Sequence, residues 1–325
     1  MSQPKVSVIV PVHNAGIYLE KCLSSLVNQT LKDIEIILVL DYPTDGSDKI
    51  AERYNAQDNR VKLIYNEENL HTGLSRNRGM EIAQGKYIGF MDHDDYCDFS
   101  MYELLYNKAE EENLEVSRCN FVCVYKSESA DKDEPYIYPD ITEKEQIYEY
   151  VSGDKISCVI WNHIYRSDFL KENNIRFQDS RKVCSEDSIF FLEVYKQLKS
   201  FGTIPEYLYY HVFHTSNTGK KYGYRSVKKR ISFFNELNTF LQENGIDKEK
   251  RLSYLSVNMA KSLYTGSRQA LLNLPVKQAI SDIKQIRQDA LSMDLINFLY
   301  RKENSSLLSG FKPTIRLFLS LIRKR

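Results

Sequence analysis

The sequence has no excess of either charge, with 44 Lys and Arg against 44 Asp and Glu over 325 residues. No global field therefore draws the chain to nucleic acid, and a charge-driven partner has to be recognised locally. Long apolar runs are absent too, and none reaches the length needed to span a bilayer. Met1-Ser2-Gln3-Pro4-Lys5 passes directly into a strand-like run, without the charged and apolar regions of a signal peptide. Cysteine is sparse and scattered: Cys22, Cys97, Cys119, Cys123, Cys158 and Cys184 form no C-x-x-C pair. A chain this large rarely needs a disulfide framework, so the six read as reduced thiols of a cytosolic protein. Cys119 and Cys123 fit small buried hydrophobes on a strand. No internal repeat is visible. What remains, 42% hydrophobic, 12% aromatic and 27% charged residues, is ordinary for a soluble globular protein with one large or two moderate domains.

Four short apolar runs alternate with helical patterns over the first hundred residues. Val6 to Val10 is a β-branched strand stopped by Pro11; Ile34 to Leu40, Val61 to Tyr65 and Lys86 to Met91 are three more. Tyr18, Leu19, Cys22, Leu23 and Leu26 recur at helical spacing between the first two, and Ile50, Ala51 and Tyr54 follow the second. Alternation of this kind predicts a parallel sheet covered on both faces, whose ligands collect beyond the carboxyl ends of the strands. His13-Asn14, Asp41 and Asp92 to Asp95 all fall there. Beyond Phe99 the spacing predicts a helix over Met101 to Glu112, an alternating strand over Val116 to Tyr125 and a solvated polar loop over Lys126 to Pro135. From Tyr224 onward only helices are predicted.

Asp92-His93-Asp94-Asp95 closes the fourth run with carboxylates where a Gly/Asn turn would be usual. Hard oxygen ligands at a sheet edge suit Mg²⁺ or Mn²⁺ held with most of its waters, and such a cation grips a diphosphate. Taken alone the motif equally describes a solvated acidic loop; the segments upstream argue for the site.

Those segments, VSVIVPVHN (Val6 to Asn14), LVNQTL (Leu26 to Leu31), Asp33 to Asp41, Arg76-Asn77-Arg78-Gly79, GKYIGFMDHDD (Gly85 to Asp95), WNHIYRSDFL (Trp161 to Leu170) and Ser185-Glu186-Asp187 with Phe190, resemble the inverting glycosyltransferases of family 2. The resemblance covers about two thirds of the chain. It implies an α/β fold of the GT-A, Rossmann-like type. Residues 1–220 would form the catalytic domain, with 1–99 the nucleotide-binding half and 100–220 the acceptor-side half, and 221–325 a helical C-terminal extension.

The resemblance also implies roles. Pro11, His13, Asn14, Asp41, Arg76, Asp92 and His93 would bind the donor, His13 standing where the family often has tyrosine. Asp41 would reach the base or ribose, and Arg76 would hold phosphate or base through its forked guanidinium. Asp94, with Asp92 and His214, would hold Mn²⁺ or Mg²⁺, which neutralises charge on the leaving nucleoside diphosphate. Asp187 would be the base that deprotonates the acceptor hydroxyl during direct inversion, although acids also favour a helix N-terminus for dipole reasons alone. Trp161 and Glu186 would serve the acceptor side, core packing being the competing account of Trp161. Gly79 would serve helix packing and Gly85 a helix C-cap.

One segment departs from the family. Its usual D-D-G-S-T-D appears as Leu40-Asp41-Tyr42-Pro43-Thr44-Asp45, so a carboxylate and a glycine are lost, and Tyr42 offers either a stacking face or a bulky turn. The expected activity is metal-dependent transfer from a nucleoside-diphosphate sugar, most simply UDP-linked, to a glycan or lipid-linked acceptor in cell-surface polysaccharide synthesis. The rival readings are a nucleotidyltransferase, which would need a Gly-rich phosphate loop not seen here, and a catalytically impaired nucleotide- or glycan-binding module. Leu308, Phe311, Ile315, Phe318, Leu319 and Ile322 share one helical face near a basic terminus. That stripe suits the inner face of a membrane, the protein's own core or a homodimer interface.

Overall fold

β1 (Val6–Val12), α1 (Tyr18–Val27), β2 (Ile34–Leu40), α2 (Ser47–Gln57), β3 (Val61–Tyr65), α3 (His71–Ile82) and β4 (Tyr87–Phe90) alternate as their apolar periodicities require. A computed structural model describes residues 3–125, 132–136, 148, 151, 157–213 and 227–323. Every residue of β1 and β2 is buried, as expected of parallel strands covered on both faces. The four strands pair in parallel in the order β3-β2-β1-β4. Because β1 lies between β2 and β4, the residues that follow these three strands share one edge of the sheet.

The first strand does not stop at Pro11. Pro11 pairs with Val39 and Val12 with Leu40, while the β1–β4 register ends at Ile9 and Phe90. Met91 N donates to Ile9 O at 3.0 Å. Pro11, two residues further along the same side, lies past the end of β4, so its missing N–H breaks no ladder bond.

Beyond β4 the sheet becomes mixed. β5 (Tyr96–Cys97), α4 (Met101–Glu111), β6 (Val116–Tyr125), β7 (Lys132–Tyr136), β8 (His163–Arg166), α5 (Ser167–Glu172), α6 (Glu186–Gln197) and β9 (Phe201–Phe213) follow. The order runs on from β4 through β8, β6 and β9 to β5, with β8 antiparallel to both β4 and β6 and with β9 parallel to β6. Part of the segment expected to be a solvated loop is instead β7, antiparallel to β6, where Pro135 sits on a strand with one ladder partner among the described residues.

Two glycines let backbone approach closely. A Cβ on Gly79 of α3 would stand 2.4 Å from Ile9, so the helix seats directly on β1. Gly85 is not the C-cap of α3, which is Ala83; a Cβ there would meet Ser7 N at 2.5 Å, and its own N–H donates to Ser7 Oγ. The end of β4 is backed by rings. Phe90 packs edge-on against Phe177 at 5.1 Å, and Phe177 stacks on Phe190 at 4.0 Å.

The chain divides into two compact units. The first comprises Met1–Asp140, Cys158–Ser180 and Phe190–Thr215, and holds the sheet; the second comprises Ile141–Ser157, Arg181–Ile189 and Ser216–Arg325. Within the second unit, α7 (Val227–Glu243), α8 (Lys248–Asn273), α9 (Val276–Gln288), α10 (Ala290–Leu299), α11 (Ser305–Ser309) and α12 (Pro313–Arg323) follow one another. α12 packs on α8, α9 and α10. Of the apolar stripe that leads into and along α12, Phe311, Ile315, Leu319 and Ile322 are buried and Leu308 and Phe318 half-buried, with Phe318 meeting Tyr264 of α8 edge-on at 5.6 Å. Of the three roles open to that stripe, the unit's own core takes it. Among the described residues, no helix is long and apolar enough to cross a membrane.

Candidate active site

The tips of β1, β2 and β4 are cross-tied by side chains that the loops themselves supply. Asp41, the first residue after β2, is buried; its Oδ1 accepts from Asn66 Nδ2 and from the Leu70 N–H, both at 2.7 Å. Its Oδ2 has no hydrogen-bond partner among the described residues. Asn66 is itself held by Arg78 and by Ser75 of α3. The outcome is a carboxylate oriented by two donors on one oxygen and left with acceptor capacity on the other.

His13 donates from Nδ1 to the Asp41 carbonyl at 2.7 Å, which leaves Nε2 to accept from Asn69 Nδ2 at 3.2 Å. These bonds fix the plane of the ring between the two loops. Asn14 takes a left-handed backbone, φ +50°, and its Oδ1 accepts from the Thr44 N–H at 2.7 Å, locking the loop after β1 to the loop after β2. Asp45 completes the lock by accepting from Gly16 N and from Ser47, whose hydroxyl in turn accepts from Ala15 N. Burial disfavours the Asp45 carboxylate, but the Ser47 and Gly16 hydrogen bonds outweigh it and lower its pKa.

The four residues after Met91 divide their work. Asp92 and Asp94 are half-buried. Asp92 accepts on Oδ1 from Arg76 NH2 at 2.8 Å. Arg76 is 1% exposed and lies over the Phe177 ring, so the residue expected to hold donor phosphate reaches Asp92 from within the core. His93 donates from Nδ1 to the Pro11 carbonyl at 3.0 Å and ties the β4 tip to β1, leaving its other nitrogen uncommitted among the described residues.

Asp95 is 1% exposed and fully committed. Oδ2 accepts from the Tyr209 hydroxyl at 2.7 Å and from His211 Nδ1 at 3.0 Å, and Oδ1 accepts from the Val212 N–H at 2.7 Å. The Tyr209 hydroxyl also accepts from Asp92 N at 3.3 Å, so one phenol fixes both ends of the motif. Burial disfavours the His211 cation, but the hydrogen bond and charge of Asp95 prevail, with Asp92 and Asp94 adding to them, and its pKa rises to about 9. Burial pushes the Asp95 pKa up, and His211 opposes that rise.

Tyr209 and His211 are the partners of the acidic motif that the sequence pattern missed. Their signal was alternation along β9, which turns residues 209 and 211 to the same face. His214, expected as the third metal ligand, lies outside the described residues. Trp161 is buried and stacks on Tyr209 at 4.0 Å and on His211 at 5.3 Å, a wall behind the Asp95 network. Asn162 ties β8 to β6 through the Cys119 carbonyl. Glu186 and Asp187 occupy the first turn of α6 in the second unit, preceded by Ser185 at φ +63°.

Among the described residues, no three His, Cys, Asp or Glu side chains converge as a ready-made ligand cage. Asp92 and Asp94 nevertheless match the donor set of a hard cation that takes one or two carboxylates and fills its remaining positions with water and phosphate oxygen. A cavity of about 950 Å³ opens at the opposite, amino-terminal end of the strands, beside Asp33, Ile34, Arg60 and Gly85, and takes in none of these residues.

Residues 7–175 match the family described as glycosyl transferase family 2. The chain is similar to an uncharacterized glycosyltransferase of Bacillus subtilis (strain 168), EpsJ, 34% identical over 214 residues that make up 63% of this chain and 60% of that protein. It therefore spans less than two thirds of that relative's length. Its fold is similar to that of TarS residues 1–349 from S. aureus, solved in complex with UDP-GlcNAc, with a TM-score of 0.68 at 17% identity, covering 98% of this chain and 90% of that one. It is also similar to the mannosyltransferase PcManGT from Pyrobaculum calidifontis, solved with GDP-Man and Mn²⁺, with a TM-score of 0.53 at 14% identity, covering 99% and 86%. The expected GT-A fold with a helical C-terminal region is the fold observed.

Proposed function

The chain belongs to glycosyl transferase family 2, and we propose that it moves a sugar from a UDP-linked donor to a hydroxyl of a glycan or lipid-linked glycan in cell-surface polysaccharide synthesis. Residues 1–220 act as the catalytic domain and 221–325 as its helical extension. The observation that carries the reading is the shared edge formed by three strand tips, where Asp41 after β2 offers a free acceptor oxygen and, on the other side of β1, Asp92 and Asp94 follow β4 half-exposed.

In this reading Asp41 Oδ2 accepts from an N–H of the base or a ribose hydroxyl, and His13 and Asn14 hold the loop that covers the base, with Pro11 as its backbone anchor through His93. Asp94 and Asp92 hold a divalent cation, with His214 as a third ligand, and the cation neutralises charge on the departing diphosphate. Arg76, buried against Asp92, sets which carboxylate oxygen faces outward. Asp187 removes the acceptor proton as the acceptor oxygen bonds the anomeric carbon and the bond to the diphosphate breaks on the opposite face. Glu186 orients the acceptor, and Trp161 stiffens the acceptor side from behind. Free cysteines at all six positions support a reducing, cytoplasmic setting.

The test is release of the matching nucleoside diphosphate from a panel of UDP-, GDP- and dTDP-sugars with Mn²⁺, UDP-sugars being the expected donors. Metal-dependent release that vanishes in Asp94→Ala, together with an Asp187→Asn protein that keeps donor affinity and loses transfer, supports the reading. Donor binding without turnover in the unaltered protein would assign it to the binding-module alternative. Turnover indifferent to Asp187→Asn would remove that residue from its role as base.

A further inference from the structure

The end of α8 and the start of α9 form a corner of the helical unit that keeps large apolar side chains in water. Leu271, Leu272, Val276 and Ile280 are 55%, 69%, 68% and 45% exposed, although α8 and α9 pack on one another and their neighbours Ala270 and Ala279 are buried. Single exposed leucines need no explanation, but four within ten residues at one helical corner do. The Leu274-Pro275 connection between the helices adds no charge.

The sequence on either side of the corner is rich in cations, and its nearest acid, Asp282, is buried. Residues 250–281 contain no Asp or Glu, and 250–325 carry fourteen Lys and Arg against four acids, in a chain whose total is balanced. Arg268, Lys277 and Lys284 flank the apolar residues, are exposed and have no ion-pair partner among the described residues. The C-terminal stripe is already buried in the unit's own core, so it is not the surface that remains open.

We propose that this α8–α9 corner is a docking surface for an anionic lipid bilayer, its leucines, valine and isoleucine dipping into the headgroup layer while the flanking cations meet lipid phosphates. An apolar tip within a basic collar matches the two attractions that hold peripheral segments to such membranes. A symmetric pairing of two copies through this corner would set like charges against each other, which argues for lipid over self-association. The inference rests on the proposed lipid-linked acceptor only for its purpose, since docking requires neither donor nor turnover.

Co-sedimentation of the full chain with vesicles tests it, using 30 mol% phosphatidylglycerol in phosphatidylcholine against phosphatidylcholine alone. The expected result is binding to the anionic vesicles, at least tenfold weaker to neutral ones and weakened by salt. Leu272→Asp/Val276→Asp should lower binding at least tenfold, and Lys277→Glu/Lys284→Glu should do so too, with unchanged thermal unfolding and unchanged donor hydrolysis. Equal binding by wild type and both variants, or no vesicle binding at all, overturns the proposal. Light scattering that shows a dimer dissolved by Leu272→Asp/Val276→Asp, without vesicle binding, overturns it in favour of a second copy. Loss of turnover with vesicle binding intact would count against the enzymatic reading and leave the docking surface standing.

Discussion

The tips of β2 and β4 both present carboxylates at the same edge of the sheet, yet they are built in opposite ways. At β4 the final carboxylate, Asp95, is sealed beneath Tyr209, His211 and the Val212 N–H, and Trp161 backs those partners. At β2 the residue after Asp41 is Tyr42, 56% exposed and at φ +53°, a conformation that costs an L-residue about 1–2 kcal/mol and that the following Pro43 does not favour. One tip is fixed by packing and polar satisfaction. The other carries backbone strain and an open aromatic ring where the family has a glycine. The cluster after β4 is held by what lies under it, while the turn after Asp41 leaves the Tyr42 ring in solvent.

Asp95→Ala should break the contrast most severely. It leaves a buried imidazolium and a phenol without their acceptor, and removing one member of such a pair costs about 3–5 kcal/mol, read as a lowered denaturation midpoint. The counterpart at β2, Asp41→Ala, removes the acceptor of the Leu70 N–H and of one Asn66 Nδ2 hydrogen, the other still reaching Ser75, and should cost about 1–3 kcal/mol. If Asp41→Ala proved as damaging as Asp95→Ala in the same denaturant titration, the two tips would not differ as described.

Tyr42→Gly should act in the opposite direction. Relief of the left-handed strain should stabilise the fold by about 1 kcal/mol or less, because glycine gains freedom in the unfolded chain. Its donor KM then separates the two readings of the ring. An unchanged KM marks a bulky turn residue, and a raised KM a stacking face.

A further effect expected is one of pH. The folded pKa of His211 is raised from 6.5 to about 9, so its contribution is complete below pH 6.5 and is lost as pH rises through about 9. Unfolding midpoints should therefore fall between pH 6.5 and 9, and His211→Phe should flatten that dependence. A midpoint that rises across this window in the unaltered protein would contradict the ion pair with Asp95.

The parallel half was legible because its information is local. Runs of β-branched residues alternate with helical stripes, and Asp41 and Asp92 each fall one residue past a strand end that those runs define. The continuation of β1 through Pro11 was not legible, since it depends on where β4 ends. Nor was the pairing of β7 with β6, which follows from an available edge and not from the polar composition of residues 132–136. His211 was hidden for a similar reason: it lies 116 residues from Asp95 in a strand whose partner nothing local announces. The inward stripe of α12 read equally as lipid-facing or core-facing, because amphipathicity specifies a face and says nothing of what covers it.

By itself, then, the order of residues determined that alternating strands and helices would bring His13, Asp41 and Asp92 to the carboxyl ends of parallel strands, because backbone periodicity and burial act over a few residues. Only the tertiary structure decided that Arg76 would lie buried behind Asp92, that Asp95 would be a buried anchor of the motif and that the C-terminal helix would spend its apolar stripe on its own unit. Those outcomes depend on which distant groups meet, and meeting is settled by packing and by the need of every buried charge to find a partner.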